Sequence, residues 1–283
     1  MKSKIVVYVQ SLLFIVGAFS PISLIADDDA IWMPDLALHA YTDIQTAYIS
    51  RGYVWDSRPI NTQFADVETI LGDFGSVDVY VWTMSTFSSK GHSTPMRYAY
   101  NEFDYGISYS YAWEITEDWR LKNGVTRQWV TSPGVRGKWH SLIDWQAFQA
   151  LENPYVVPYW RLRAIQKPYC AAYWCVGAKK TFELTEALSF TIDFAGHLGN
   201  ASHFRRMFGP DSDEPDSSWK AGIHAVTLVF RFDYRLTDYL GLYAFVGQLD
   251  IIDDDARDAV KASTAKEAKR DLTYGGVGVA LDF

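Results

Sequence analysis

The last twelve residues, LTYGGVGVALDF, put Thr273, Gly275, Val277, Val279, Leu281 and Phe283 on one face and Tyr274, Gly276, Gly278, Ala280 and Asp282 on the other. That is a period of two, which a strand satisfies and a helix does not. A strand with one apolar face and two hydrogen-bonding edges has to bury the first and pair the second. Apart from Ile5 to Ile25, no stretch is long and apolar enough to cross a bilayer as a helix. If the chain is a membrane protein, it must therefore cross as a closed barrel, the alternative in which every backbone amide is paired between strands.

The two ends of the chain agree with that expectation. Met1, Lys2 and Lys4 make a short basic start, Ile5–Ile25 is almost wholly apolar, and the sequence turns abruptly polar at Ala26. This reads as a secretory signal peptide over residues 1–26, leaving 27–283 as a single barrel domain; a single N-terminal membrane anchor is the competing reading. An alternating strand that finishes on an aromatic resembles the closing strand of bacterial outer-membrane β-barrels. The resemblance implies that Phe283 is an assembly signal for the barrel-assembly machinery, and that the location is the outer membrane of a Gram-negative bacterium.

Composition narrows the class further. Charged residues are 21% and aromatics 16%, with 18 Tyr and 11 Trp. One face of each strand in lipid and one in water would give this balance, with Tyr and Trp in girdles at the two interfaces. The formal charge of −8 argues against a nucleic-acid partner, which needs a basic face.

Twelve strands are expected: Leu36–Gly52, Gln63–Leu71, Ser76–Ser85, Asn101–Glu114, Trp119–Val130, His140–Leu151, Tyr155–Ile165, Ala172–Glu183, Leu188–Leu198, Gly222–Leu236, Leu240–Leu249 and Leu272–Phe283. The connections alternate between short turns and longer loops such as Tyr53–Thr62, Gly199–Ala221 and Asp250–Asp271. This two-rim sorting is that of an up-and-down transmembrane antiparallel barrel, and a soluble sandwich has no reason for it. Within the last long loop, acidic residues followed by Ala, Lys and Glu predict a short helix, read as solvated because its apolar positions are only alanines and Val260.

Alternation also sorts the charges. Asp43, Asp66, Glu68, Asp78, Glu102 and Asp104 come from early strands, and Arg120, Lys122, Arg161, Arg163, Lys179, Arg231 and Arg235 from later ones, all on the expected lumen face. Two readings follow. Opposed charged walls set a transverse field across an aqueous pore for small polar solutes or ions, or the same groups pair across a narrow lumen and close it. Small lumen residues, Gly106, Ser108, Ser110, Gly177 and Gly278, are expected to leave space for a pore.

The segment YISRGYVWDSRPINTQ, Tyr48 to Gln63, has Arg51-Gly52 closing an apolar strand and a proline and a glutamine opening the next. It resembles the start of the TorF-like outer-membrane porin family. The resemblance covers the first strand and loop and implies an outer-membrane location and a channel role, with no catalytic residues. In this reading Gly52 lets the chain turn and Arg51 faces the lumen near the acidic wall.

Cys170 and Cys175 are a disulfide candidate in a compartment that permits one. No CxxC or HxxxH spacing occurs among the two cysteines and six histidines, so neither metal nor cofactor is expected. Two other classes compete with the channel. One is a lipid hydrolase using His92-Ser93, His140-Ser141 or Ser202-His203, though neighbours on a strand point to opposite faces. The other is a closed structural barrel that binds through its long loops, including a calcium reading of Asp211–Asp216 that lacks the glycine and spacing of an EF loop.

Overall fold

The computed structural model describes residues 35–87, 101–133, 139–167, 170–208, 220–262 and 269–283. The segment 1–26 expected as a signal peptide, His92-Ser93 and Asp211–Asp216 lie outside them.

Among the described residues there are fourteen strands: β1 Asp35–Gln45, β2 Tyr48–Ser50, β3 Tyr53–Asp56, β4 Ile60–Ile70, β5 Ser76–Thr86, β6 Asn101–Thr116, β7 Trp119–Pro133, β8 Trp139–Glu152, β9 Val157–Lys167, β10 Ala171–Glu183, β11 Leu188–Gly199, β12 Gly222–Arg235, β13 Leu240–Ile251 and β14 Asp271–Asp282. Twelve of them form a closed antiparallel barrel in sequence order, with β1 hydrogen-bonded to β4 on one side and to β14 on the other. The closing register is carried to the end of the chain, where Leu38 N–H donates to the Phe283 carbonyl and Phe283 N–H to that of Leu38, both at 2.9 Å. The expectation of an all-β, twelve-stranded up-and-down barrel therefore holds.

The wall strands run 11 to 16 residues, enough to cross a hydrocarbon core at the usual tilt, which takes about 9–11. Their outward side chains include Val79, Val81, Ile107, Val125, Val176, Phe194, Phe232, Val246 and Val277, all exposed. Toward the short-turn rim this band ends on exposed Phe74, Trp113, Trp119, Tyr155, Tyr239 and Phe283, and toward the long-loop rim on Phe103, Tyr105, Trp145 and Trp174. Exposed apolar side chains on this scale are unstable in water, whereas an apolar band between two aromatic girdles matches a bilayer.

The short turns are fixed by local chemistry. Leu184–Leu188 and Leu236–Leu240 share the pattern Leu-Thr-x-x-Leu. In each the threonine hydroxyl oxygen accepts two backbone N–H groups, from Ala187 and Leu188 onto Thr185 and from Tyr239 and Leu240 onto Thr237. Asn153 does the same for Tyr155 and Val156. A side-chain acceptor two or three residues back closes a tight turn without glycine.

The first strand departs from expectation. Instead of running to Gly52, β1 leaves the wall after Gln45, and residues expected as its end and the following loop form β2 and β3, a separate two-stranded hairpin. Hydrophobicity alone continues from Ile44 through Tyr48 and Ile49, so alternation could not show the break. Among the described residues two α-helices sit in long-rim loops: α1, Ala201–Phe208, and α2, Asp254–Ala262. Each is started by a side chain that satisfies an orphan amide. Asn200 Oδ1 accepts the His203 N–H and Asp253 Oδ1 the Ala256 N–H, both at 2.8 Å.

Candidate functional site

The hairpin turns inside the barrel mouth. Its tip is Ser50-Arg51-Gly52-Tyr53, with Arg51 at φ 58° and Gly52 at φ 70°, the two successive left-handed residues that a tight two-residue hairpin turn requires. Glycine is needed at position 52 for a second reason, because a Cβ there would lie 2.8 Å from His197 Cβ and 2.9 Å from His224 Nε2. The Arg-Gly pair is thus explained by a turn whose tip presses on two histidines of the wall. His224 Nε2 lies 2.9 Å from the Arg51 carbonyl, which fixes that nitrogen as the N–H donor.

Apolar contacts hold the hairpin. Val54, Phe204, Ala225, Leu249, Ile251, Ala256 and Val260 form one buried cluster joining β3, α1, β12, β13 and α2. The expectation that the second helix is purely solvated is corrected here. Ala256 and Val260, four residues apart, share one face and are buried against the hairpin cluster. Opposite, Tyr48 packs with Ile60, Met84 and Trp82 and its hydroxyl donates to Glu102 at 3.3 Å. The hairpin therefore spans the lumen from the β4–β6 wall to the β10–β13 wall.

Around it lie buried polar groups. Tyr173 is surrounded by His197, His203 and His224 with ring centroids 6.0, 5.4 and 6.4 Å away. His197 bonds the Tyr173 hydroxyl at 2.6 Å and the Thr227 hydroxyl at 2.9 Å. Burial pushes the His203 imidazole, in α1, down to about 3, and the neighbouring His224, Arg51 and Arg163 push the same way. Its Nε2 makes no hydrogen bond, to Ser202 or to any other residue. On the facing wall Asp144 is fully buried and paired with Arg163. Gln128 donates to Asp104, Gln146 donates to Gln128, and Arg51 lies within electrostatic reach of Asp104.

Strand register places every expected lumen charge of the wall on the inner face. Asp43, Asp66, Glu68 and Asp78 share it through the pairs Asp43↔Thr62, His39↔Asp66 and Glu68↔Asp78; Glu102 and Asp104 continue it on β6, opposite Met84 and Trp82. Arg120, Lys122, Arg161, Arg163, Lys179, Arg231 and Arg235 lie on inner-face positions of β7, β9, β10 and β12. The tally of two opposed walls leaves out the acid among the bases. Asp144 pairs with Arg163, Glu152 with Arg120 at 2.5 Å, and Asp233 with Arg231 at 2.6 Å. The basic wall is locally neutralised, and the transverse field expected from two opposed walls is correspondingly weaker. The signal was present in the sequence: Asp144 and Asp233 alternate in phase with inner-face residues of their own strands.

The inner glycines do not leave open space either. Tyr80 lies over Gly106, Phe148 over Gly124, Tyr159 over Gly177, Tyr274 over Gly247, Phe245 over Gly276 and Tyr243 over Gly278, so close that a Cβ at any of these glycines would overlap the ring. Each glycine is a flat place on which a cross-strand aromatic lies down along the wall. The rings lie flat along the wall where the glycines leave room for them.

The disulfide expectation is corrected: Cys170 is free and exposed, and Cys175 is free and buried. Cys175 belongs to β10 and Cys170 directly precedes it, and five residues of extended chain separate Cα atoms by roughly 16 Å, well beyond what a disulfide spans. Among the described residues no cluster of three or more metal-ligating side chains occurs.

No protein-family model matches the sequence, and no curated protein sequence matches it. Solved structures do. The KdgM porin in complex with disordered oligogalacturonate is 8% identical, with 87% of this chain and 99% of that one covered and a TM-score of 0.47. The NanC porin is 12% identical, with coverages of 86% and 98% and a TM-score of 0.48. An outer-membrane channel from Pseudomonas putida F1 is 10% identical, with coverages of 92% and 100% and a TM-score of 0.47. The barrel assignment itself rests on the strand pairing described above.

Proposed function

We propose that this chain is an outer-membrane channel of a Gram-negative bacterium, exported by its N-terminal segment, and that it passes small polar solutes or ions through a lumen narrowed by the β2–β3 hairpin. One observation carries the reading: a closed wall whose outer face exposes an apolar band between aromatic girdles while its inner face carries charged and hydroxyl groups. A polar interior inside an apolar exterior is the arrangement a water-filled passage through lipid needs. The TorF-like resemblance of Tyr48–Gln63 belongs to this proposal, since the Arg-Gly turn it rests on is the tip of the narrowing element. So does the part of the assembly machinery as partner, with Phe283 on the closing strand.

The test is single-channel conductance of the signal-free, refolded protein in planar bilayers at high salt. Steady steps support the channel. A second reading, a closed barrel, is favoured by a specific feature: the hairpin joins both walls through Tyr48–Glu102 and the Val54 cluster. Silence from a folded barrel selects it.

A further inference from the structure

Below the hairpin, the inner faces of β1 and β11–β14 enclose a cavity of about 430 Å³, within the size range of small-molecule sites. Its hydrogen-bond donors are turned onto its own carboxylates. The Tyr243 hydroxyl donates to Asp43 at 2.8 Å, the Gln45 amide at 3.1 Å, and the Thr62 hydroxyl donates there too. The Tyr159 hydroxyl donates to Asp193 at 2.7 Å. Arg231 is held by Asp233 through Nε at 2.8 Å and Nη2 at 2.6 Å, with its guanidinium 4.1 Å from the centre of the Tyr243 ring. Lys179, the register partner of Asp193 on β10, is not one of the residues lining the cavity.

The surface left to a visitor is therefore one of acceptors and aromatic rings. Asp43 already accepts from three side chains, whereas Asp193 accepts from Tyr159 alone. Tyr41, Phe245 and Tyr274 add rings to the same cavity. Two carboxylates, a guanidinium already neutralised by a third, and several π-systems disfavour an anion and suit a donor-rich cation, which gains from both the carboxylate and the ring faces. We propose that this cavity is a binding station for small organic cations of the primary amine or diamine class, with Asp193 as the anchoring carboxylate. The proposal rests on the channel reading for its route of access.

The experiment is calorimetric titration of the full-length mature protein, refolded in detergent, with 1,4-diaminobutane, and with glucuronate and glucose as anionic and neutral controls. Saturable binding of the diamine, weakened at least tenfold in Asp193→Asn, is expected. Tyr274→Leu, which keeps every carboxylate and loses one ring, should weaken it several-fold, and serves if the first variant does not fold by circular dichroism. Absence of diamine binding, equal affinity in Asp193→Asn, or tighter binding of glucuronate overturns the proposal. The two readings fail separately: a barrel that binds the amine but shows no conductance keeps the site and loses the channel, and a conducting barrel that ignores the amine does the reverse.

Discussion

Replacing Phe204 by alanine should open the barrel mouth without loosening the barrel. Phe204 is 2% exposed, belongs to the cluster holding Val54, and meets the His224 ring edge-on at 5.2 Å and 81°. Truncating a buried phenylalanine removes about 3–5 kcal/mol, because the transfer term and the cavity left behind add. That loss falls on the contacts between α1, α2 and the hairpin. The hairpin is a sheet of its own with no backbone ladder to the wall, and the wall strands stay fully paired around the barrel. It should therefore open as a local unit, and at 1.4 kcal/mol per factor of ten its open population should rise by roughly 10² to 10⁴. Hydrogen exchange read by mass spectrometry checks this. Peptides covering Tyr48–Asp56 and Ala201–Phe208 should exchange faster by at least a hundredfold, while those from β1, β13 and β14 stay unchanged. A uniform acceleration that includes the wall, or a change below tenfold in the hairpin, would refute the reasoning, since the mouth would then be one cooperative unit with the barrel or would not depend on this ring.

Gly52→Ala should displace the same hairpin by another route. The left-handed backbone costs an alanine about 1 kcal/mol, and its Cβ overlaps His197 and His224, so larger conductance steps than wild type are expected in planar bilayers. Arg163→Gln leaves the fully buried Asp144 without its partner and should destabilise by about 3–5 kcal/mol in denaturant unfolding. Arg161→Gln, where the guanidinium lies over Tyr159 at 5.6 Å, should change stability by less than about 1 kcal/mol and instead move the reversal potential toward cations. The mouth should also loosen in acid. His203 is held neutral down to about pH 3 when folded but takes a proton near pH 6.5 when released. The released state therefore binds more protons between those values, and stability of the docked mouth falls as pH drops from about 6.5 toward 3. Exchange of α1 amides measured at pH 7 and pH 5, corrected for intrinsic rates, should show it, and a His203→Gln variant should lose part of the dependence.

The sequence by itself determined the wall. Strand periodicity has an exact period of two, a one-residue slip exchanges lipid and water faces, and a membrane forbids unpaired edges. Those constraints suffice to place Phe103, Tyr105, Ile107, Tyr109, Tyr111 and Trp113 outside and Glu102 and Asp104 inside, and to sort short turns from long loops. What lies within the barrel was decided only in three dimensions. Tyr48 to Gly52 looks like more strand because its alternation continues that of β1, Tyr53 onward looks like loop, and nothing local says that the two pair as a hairpin turned inward. Val54, Phe204, Ala256 and Val260 are far apart in the chain and meet only because the closed wall brings three long-rim connections together. The inner glycines read as empty space until cross-strand register lays an aromatic over each. The basic wall likewise reads as a source of field until Asp144, Glu152 and Asp233 fall beside its arginines. Periodicity tells each residue which face it takes, but a lumen is a property of many strands at once, and who meets whom across it follows from closure.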